Sequence, residues 1–181
     1  MNQQQLSDKK LELMAPDWTE CLQDELMKMD EEDARWIVEN MTEKEIYTKV
    51  NIRRHQEDYI SDYLEFIWEI SPDAYWKHVI ITLDPKVGLL WGGDMPHFNR
   101  MCKMEIPANV LHAVLLFAIE TNDELKQDSE AIGCVIKAQI DKFGCINGIK
   151  EFISSLPKNK QDFANKRVFE YVNQPCKYTF D

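Results

Sequence analysis

The sequence predicts a mainly α-helical protein, a single-domain bundle of seven or eight helices that spans residues 1–181. Two observations lead to this prediction. Helix start signals are repeatedly followed by apolar residues three or four positions apart, which is the spacing of one face of a helix. Hydrophobic residues make up 44% of the chain, and a chain of this length can bury roughly 70% of its unfolded surface. We therefore expect a folded core and not a disordered acidic chain.

The first two predicted helices lie in the N-terminal part. One begins at Asp17, because Asp17 and Glu20 are spaced to cap each other's backbone amides in a first helical turn. Its apolar residues are predicted to share one buried face: Trp18, Cys21, Leu22, Leu26 and Met29. The second is short and begins at Asp30, with three residues predicted to point into the core: Trp36, Ile37 and Met41.

A third start signal follows at Thr42, which is paired with Glu45 in the same way. The apolar spacing after it predicts one long helix that continues to Trp68. Pro72 marks the end of that helix or the start of another, because proline lacks the amide that a helix interior needs.

The middle of the chain carries a different pattern. Residues 78–91 hold two short runs rich in Val, Ile and Leu, which fit either one small β-hairpin or a helix that ends near Leu83. The glycines and proline of residues 92–96 predict a loop, part of a 92–100 loop that is a second candidate binding surface.

Helical spacing returns at Pro107, a residue type that suits a first helical turn. The following segment is apolar almost all round, which predicts a central buried helix with His112 as a hydrogen-bonded core residue. Three further helices are predicted over residues 131–143, 146–156 and 160–172.

Charge is unevenly distributed along the chain. Residues 1–70 contain 18 Asp and Glu against 8 Lys and Arg, whereas residues 71–181 contain 14 against 13. An acidic field of this kind repels phosphate backbones and anionic membranes, and it attracts and orients basic proteins. We therefore expect a basic protein partner, and neither nucleic acid nor a membrane.

Metal and nucleophile motifs are not found. The four histidines have no His-x-x-x-His spacing, and Gly92-Gly93 lacks the Lys and Ser or Thr of a phosphate-binding loop. The five cysteines form no Cys-x-x-Cys pair, and an odd number cannot all pair within one chain. The sequence thus predicts no metal, no cofactor and buried reduced thiols, which suit the cytoplasm.

Three pairs of carboxylates offer an enzymatic alternative. Residues three or four apart on one helix face could hold Mg²⁺ together, as the acidic motifs of all-helical nucleotide pyrophosphohydrolases do. The pairs are Asp30 with Asp33, Asp58 with Asp62, and Glu65 with Glu69. The usual Glu-x-x-Glu and Glu-x-x-Asp spacing of those enzymes is absent, so a solvated helix face explains these acids more simply.

The candidate site is the acidic stretch near the N-terminus. Acids in a first helical turn complement the helix dipole, but this effect does not require so many carboxylates together. The residues predicted to bind the partner are Asp24, Glu25, Asp30, Glu31, Glu32 and Asp33. Trp36 is the candidate apolar anchor, and its place in the stripe with Ile37 and Met41 favours the core as the alternative. No catalytic residue is predicted.

These features lead to a functional hypothesis. We expect a small acidic cytoplasmic protein that binds and neutralises a basic protein, as bacterial or phage immunity-type inhibitors do with toxins such as nucleases. No apolar run at the N-terminus has signal-peptide length, and the longest apolar window, residues 110–119, is half of what a membrane helix needs. The alternatives are the Mg²⁺-dependent hydrolase and a helical adaptor without chemistry.

Overall fold

A computed structural model describes residues 1–15, 21–52, 56–85, 88–89, 95–121, 126–173 and 176. It divides the chain into two compact units, Met1–Thr82 and Leu83–Asp181. The predicted mainly helical class is confirmed. The predicted count of seven or eight helices is too low, since the described residues contain eleven. The prediction of a single domain stays a prediction.

The described residues of the first unit form six helices. They are α1 (Gln3–Met14), α2 (Leu22–Leu26), α3 (Glu31–Glu39), α4 (Glu43–Ile52), α5 (Glu57–Ile70) and α6 (Pro72–Thr82). Two helices, α4 and α5, stand where one long helix was predicted. The helix predicted from Asp17 has its start signal outside the described residues, and its remaining part corresponds to the short α2.

Local capping explains where several of these helices begin. The predicted pair at α4 is confirmed: the Thr42 amide donates to Glu45 at 2.7 Å, and the Glu45 amide donates to the Thr42 hydroxyl at 3.3 Å. A second such pair, Asn2 with Gln5, caps α1, which the sequence pattern did not predict. Pro72 is the first residue of α6, where its missing amide costs nothing.

The core of the first unit is built mainly from α3, α4, α5 and α6. Five of its fully buried apolar side chains are Ile37, Met41, Ile46, Leu64 and Ile67. Beside them the aromatic rings of α5 and α6 pack edge to face, with 5.2 Å between the ring centroids of Trp68 and Tyr75. The prediction that Ile37 and Met41 point inward is therefore confirmed.

One histidine lies inside this core. His78 is fully buried, and its Nδ1 lies 3.0 Å from the Tyr63 hydroxyl, while its Nε2 lies 3.4 Å from the Val38 carbonyl oxygen. Because a carbonyl can only accept, Nε2 carries the proton and Nδ1 accepts from Tyr63. His78 is thus a neutral histidine whose two ring nitrogens both have partners.

In its described residues, the second unit begins with a short hairpin and continues with five helices. Its elements are β1 (Leu83–Asp84), β2 (Gly88–Leu89), α7 (Met95–Lys103), α8 (Ala108–Glu120), α9 (Lys126–Phe143), α10 (Ile146–Ser155) and α11 (Lys158–Asn173). The strands are antiparallel, with Leu83 opposite Leu89. The hairpin alternative is therefore correct, and α6 also ends just before it.

Two predictions for this unit are wrong. Residues 95–100 belong to α7 and not to a loop, while residues 92–94 lie outside the described part of the chain. His112 is not a core residue: its side chain is exposed, and its ring lies 4.8 Å from the ring of Phe152. Helix α8 is apolar enough to be central, yet one side of it still faces solvent.

A buried glutamine fixes the connection between α7 and α8. Gln139, on α9, accepts from the Ile106 amide at 3.3 Å and donates to the Met101 and Met104 carbonyls at 2.7 and 2.9 Å. Its side chain is fully buried. These bonds satisfy two carbonyls at the end of α7, which the helix leaves unpaired, and the amide of Ile106 in the connection.

Replacing Gln139 with leucine should therefore destabilise the second unit by about 2 kcal/mol, because buried backbone groups would lose their partners. Urea unfolding followed by circular dichroism measures this change. The same substitution at Gln161, which donates to the Ser154 and Leu156 carbonyls nearer the surface, is the matched control. Water can replace those bonds, so equal losses in both variants would contradict the explanation.

A disulfide joins α9 to the segment after α11. Cys134 and Cys176 are bonded, with 5.5 Å between their Cα atoms. The prediction that all the cysteines are reduced thiols is therefore wrong for this pair. Helices α9 and α11 also pack closely against each other, since a Cβ added at Gly133 would lie 3.0 Å from the Tyr171 Cβ.

Candidate acidic interface

The charge asymmetry coincides with the division of the chain into units. Met1–Thr82 contains 19 Asp and Glu against 9 Lys and Arg, and Leu83–Asp181 contains 13 against 12. The first unit therefore carries a net charge of −10 and the second a net charge of −1. The acidic field belongs to one compact body, which is the condition for presenting it to a partner as a surface.

Two of the predicted site residues lie on α2. Asp24 is exposed, and Glu25 is partly buried and forms an ion pair with Lys28. This pairing is local, three residues apart, so it weakens the field of Glu25 only in part.

Three others lie at the start of α3, and all of them are exposed: Asp30, Glu31 and Glu32. Asp30 is the residue before the first helical turn, as predicted, but its side chain makes no capping hydrogen bond. Glu31 pairs with Arg35 one turn later. The carboxylates therefore complement the helix dipole while they remain at the surface.

Asp33 differs from its neighbours because it is buried. Its two oxygens accept hydrogen bonds from the Met1 ammonium group, at 3.0 and 2.8 Å. The hydrogen bond to Asp33 raises the pKa of that ammonium group, against the opposing effect of desolvation. Asp33 thus has an internal partner, and it supports the start of α3 instead of facing solvent.

Trp36 is only half-buried, which corrects its predicted place among the core residues. It lines a shallow pocket of about 300 Å³ between α1 and α3, together with Ser7, Lys10, Leu11 and Asn40. Leu11 is 67% exposed. We call this group of five residues the α1–α3 pocket.

An ion pair supports one wall of the α1–α3 pocket. The Lys10 ammonium lies 2.8 Å from a carboxylate oxygen of Glu45 on α4. Burial would raise the pKa of Glu45, but hydrogen bonds from Lys10 and Thr42 outweigh it and hold the pKa below its usual value. The positive charge of Lys10 is therefore neutralised within the unit and does not oppose a cationic partner.

The sequence pattern did not reveal the α1 side of this pocket. Helix α1 was not predicted, because its first turn consists of glutamines and only Leu6 and Leu13 are buried. The signal was present in the Asn2–Gln5 capping pair.

Among the described side chains, the carboxylates of the enzymatic alternative form no ligand set for a metal ion. Asp33 is bonded to Met1, Asp62 and Glu69 are exposed, and the side chain of Asp58 lies outside the described residues. Over the described part of the chain, no three His, Cys, Asp or Glu side chains form a group that could hold a metal ion.

Cys102 carries a buried thiol. Burial raises the pKa of the Cys102 thiol to about 12, although the charge of Lys142 opposes this effect. The nucleophilic thiolate is therefore a negligible fraction of Cys102 at neutral pH.

Comparison with known proteins gives no relative. No protein-family model, no curated protein and no solved structure matches this chain. In the described segments, no helix is both long and apolar enough to cross a membrane. The described residues define a mainly helical protein, and the sequence gives its N-terminal unit a strongly acidic charge.

Proposed function

We propose that this protein binds and neutralises a basic protein through the acidic face of its N-terminal unit, in the manner of an immunity-type inhibitor of a toxin such as a nuclease. One observation carries the proposal: exposed carboxylates at the start of α2 and α3, with the partly buried Glu25 beside them, belong to a unit whose net charge is −10. The acidic face consists of Asp24, Glu25, Asp30, Glu31 and Glu32.

Electrostatics explains how such a face would act. Carboxylates grouped at the surface of a compact unit attract a cationic surface from a distance and orient it before contact, which raises the association rate. A nuclease binds the phosphate backbone of its substrate through cationic residues. Grouped carboxylates can occupy such a cationic site as phosphates would. Asp33 contributes by fixing the start of α3, because its own charge is paired with Met1.

Neutralising part of the acidic face should slow association. In a variant with Asp30→Asn, Glu31→Gln and Glu32→Gln, we expect the association rate at low salt to fall about tenfold and its salt dependence to flatten. Asp33 is kept, because its loss would disturb the fold. The measurement is binding kinetics at two salt concentrations, with the basic partner captured from the source cell.

A control variant of equal charge separates the acidic face from net charge. Glu151→Gln, Asp162→Asn and Glu170→Gln remove three exposed carboxylates from the second unit. This variant should keep nearly the parental association rate. Equal slowing in both variants would show that only net charge matters, and no slowing in either would place the binding surface elsewhere.

A further inference from the structure

Part of the α1–α3 pocket is apolar surface that is not buried in the core of the unit. Helix α1 is held to its unit by Leu6 and Leu13, which are buried, whereas Leu11 is 67% exposed. Leu11 lies roughly 160° around the helix from Leu13, given 3.6 residues per turn. Together with the half-buried Trp36, Leu11 offers apolar surface to a side chain from outside.

Helices α1 and α3 run in the same direction along this pocket. The Met1 ammonium donates to Asp33 near the start of both helices, and Leu11 lines the same pocket as Trp36 and Asn40 further along the two helices. The pocket therefore lies further along α3 than the part of the acidic face that is at the start of that helix. Its position fixes which charges a bound segment would meet.

Exposed carboxylates lie on both sides of Trp36 along α3. Glu32 precedes Trp36 by one helical turn, and Glu39 follows it by nearly one turn. The cation that lines the pocket, Lys10, is already neutralised by Glu45. The charge around the pocket is thus complementary to a segment with basic residues on either side of an apolar one.

We propose that the α1–α3 pocket accepts an apolar side chain of a cationic amphipathic segment of the partner, with Lys or Arg about one helical turn to either side. This proposal rests on the proposed function and names the part of the partner that docks. The carboxylates steer and orient the segment, and the pocket supplies the apolar contact that holds it, as buried anchors do at protein interfaces.

Two synthetic helical peptides test the pocket separately from the charge. One is built of Leu and Lys, and the other has Ala at every Leu position. Leu11→Ala should weaken binding of the Leu–Lys peptide about tenfold, measured by isothermal titration calorimetry, and leave the Ala–Lys peptide unaffected. Trp36→Ala should act in the same direction.

A matched control comes from the same unit. Met27 is 63% exposed but does not line the pocket, so Met27→Ala removes a similar apolar side chain without touching the site. It should bind both peptides like the parent. Equal weakening by Met27→Ala and Leu11→Ala would overturn the pocket proposal, since it would indicate unspecific apolar adsorption.

Other outcomes distinguish this proposal from the proposed function. If the Asp30, Glu31 and Glu32 variant weakens both peptides while Leu11→Ala changes neither, the pocket proposal fails and the acidic interface stands. If neither peptide binds even at low salt, both fail. If the parent forms a dimer in sedimentation experiments and Leu11→Asp makes it monomeric, the occupant of the pocket is a second copy of the chain. That result would overturn the pocket proposal.

Discussion

Replacing Cys176 with serine is expected to lower the free energy of unfolding of the Leu83–Asp181 unit by about 4 kcal/mol. The bond to Cys134 spans a sequence separation of 42 residues, which includes α10 and α11. A cross-link of that length removes much of the conformational freedom of the unfolded chain, and the chain-entropy relation gives this magnitude. The folded state loses little, because α11 also packs on α9 beside Gly133.

Thermal or urea unfolding of the variant measures this loss. Cys145→Ser is the control, because Cys145 is not disulfide-bonded. Cys134→Ser and the double variant should match Cys176→Ser, since each removes the same bond. A titration of thiols in denaturant should find three in the parent protein, and five would contradict the bond itself.

The disulfide also shows what the sequence could not reveal. Cys134 and Cys176 belong to no local motif, and five cysteines allow many pairings. The two cysteines come close only because α11 packs on α9, and this tertiary packing is not encoded in any local pattern. Helix starts, in contrast, depend on neighbouring residues, and for that reason the Thr42–Glu45 cap was predictable.

The two missed helices have different causes. In α1, glutamines obscure the apolar pattern, although Asn2 and Gln5 cap its start. In α7, Pro96 and the preceding glycines indicated a loop, yet proline is tolerated in a first helical turn, and Pro96 is the second residue of α7. Arg100 and Lys103 in its last turn complement the helix dipole.

The candidate site was predictable as a concentration of charge but not in its detail. The number of carboxylates can be read from the sequence, whereas the exposure of each carboxylate depends on the partners that folding brings to it. Asp30, Glu31 and Glu32 are exposed, but Asp33, next in the chain, is buried against Met1. The apolar anchor was predicted as Trp36 alone, because its companion Leu11 belongs to the helix that was missed.

The buried histidine of the first unit leads to a prediction about pH. Burial lowers the pKa of His78 to about 4, although the hydrogen bond to the Val38 carbonyl opposes the shift, and the charge of Lys77 adds to it. The facing Tyr63 hydroxyl is itself buried, and burial raises its pKa well above 10, so it stays neutral. The fold therefore retains His78 in its uncharged form.

The sign of the effect follows from proton binding. In the unfolded chain His78 has a pKa of about 6.5 and takes up a proton as the pH falls, while the folded protein does not. The contribution of neutral His78 to the free energy of unfolding is thus complete above a pH of about 6.5 and is lost progressively down to about pH 4. A difference of this size corresponds to about 3 kcal/mol of unfolding free energy.

His78→Gln should remove most of this pH dependence. Glutamine can donate to Val38 and accept from Tyr63, and it does not titrate, so the variant should show a flatter stability profile between pH 4 and 6.5. Urea unfolding of both proteins across this range measures the difference. Carboxylates and the other histidines titrate in both proteins and cancel in the comparison, so parallel profiles would mean that His78 is protonated inside the folded unit.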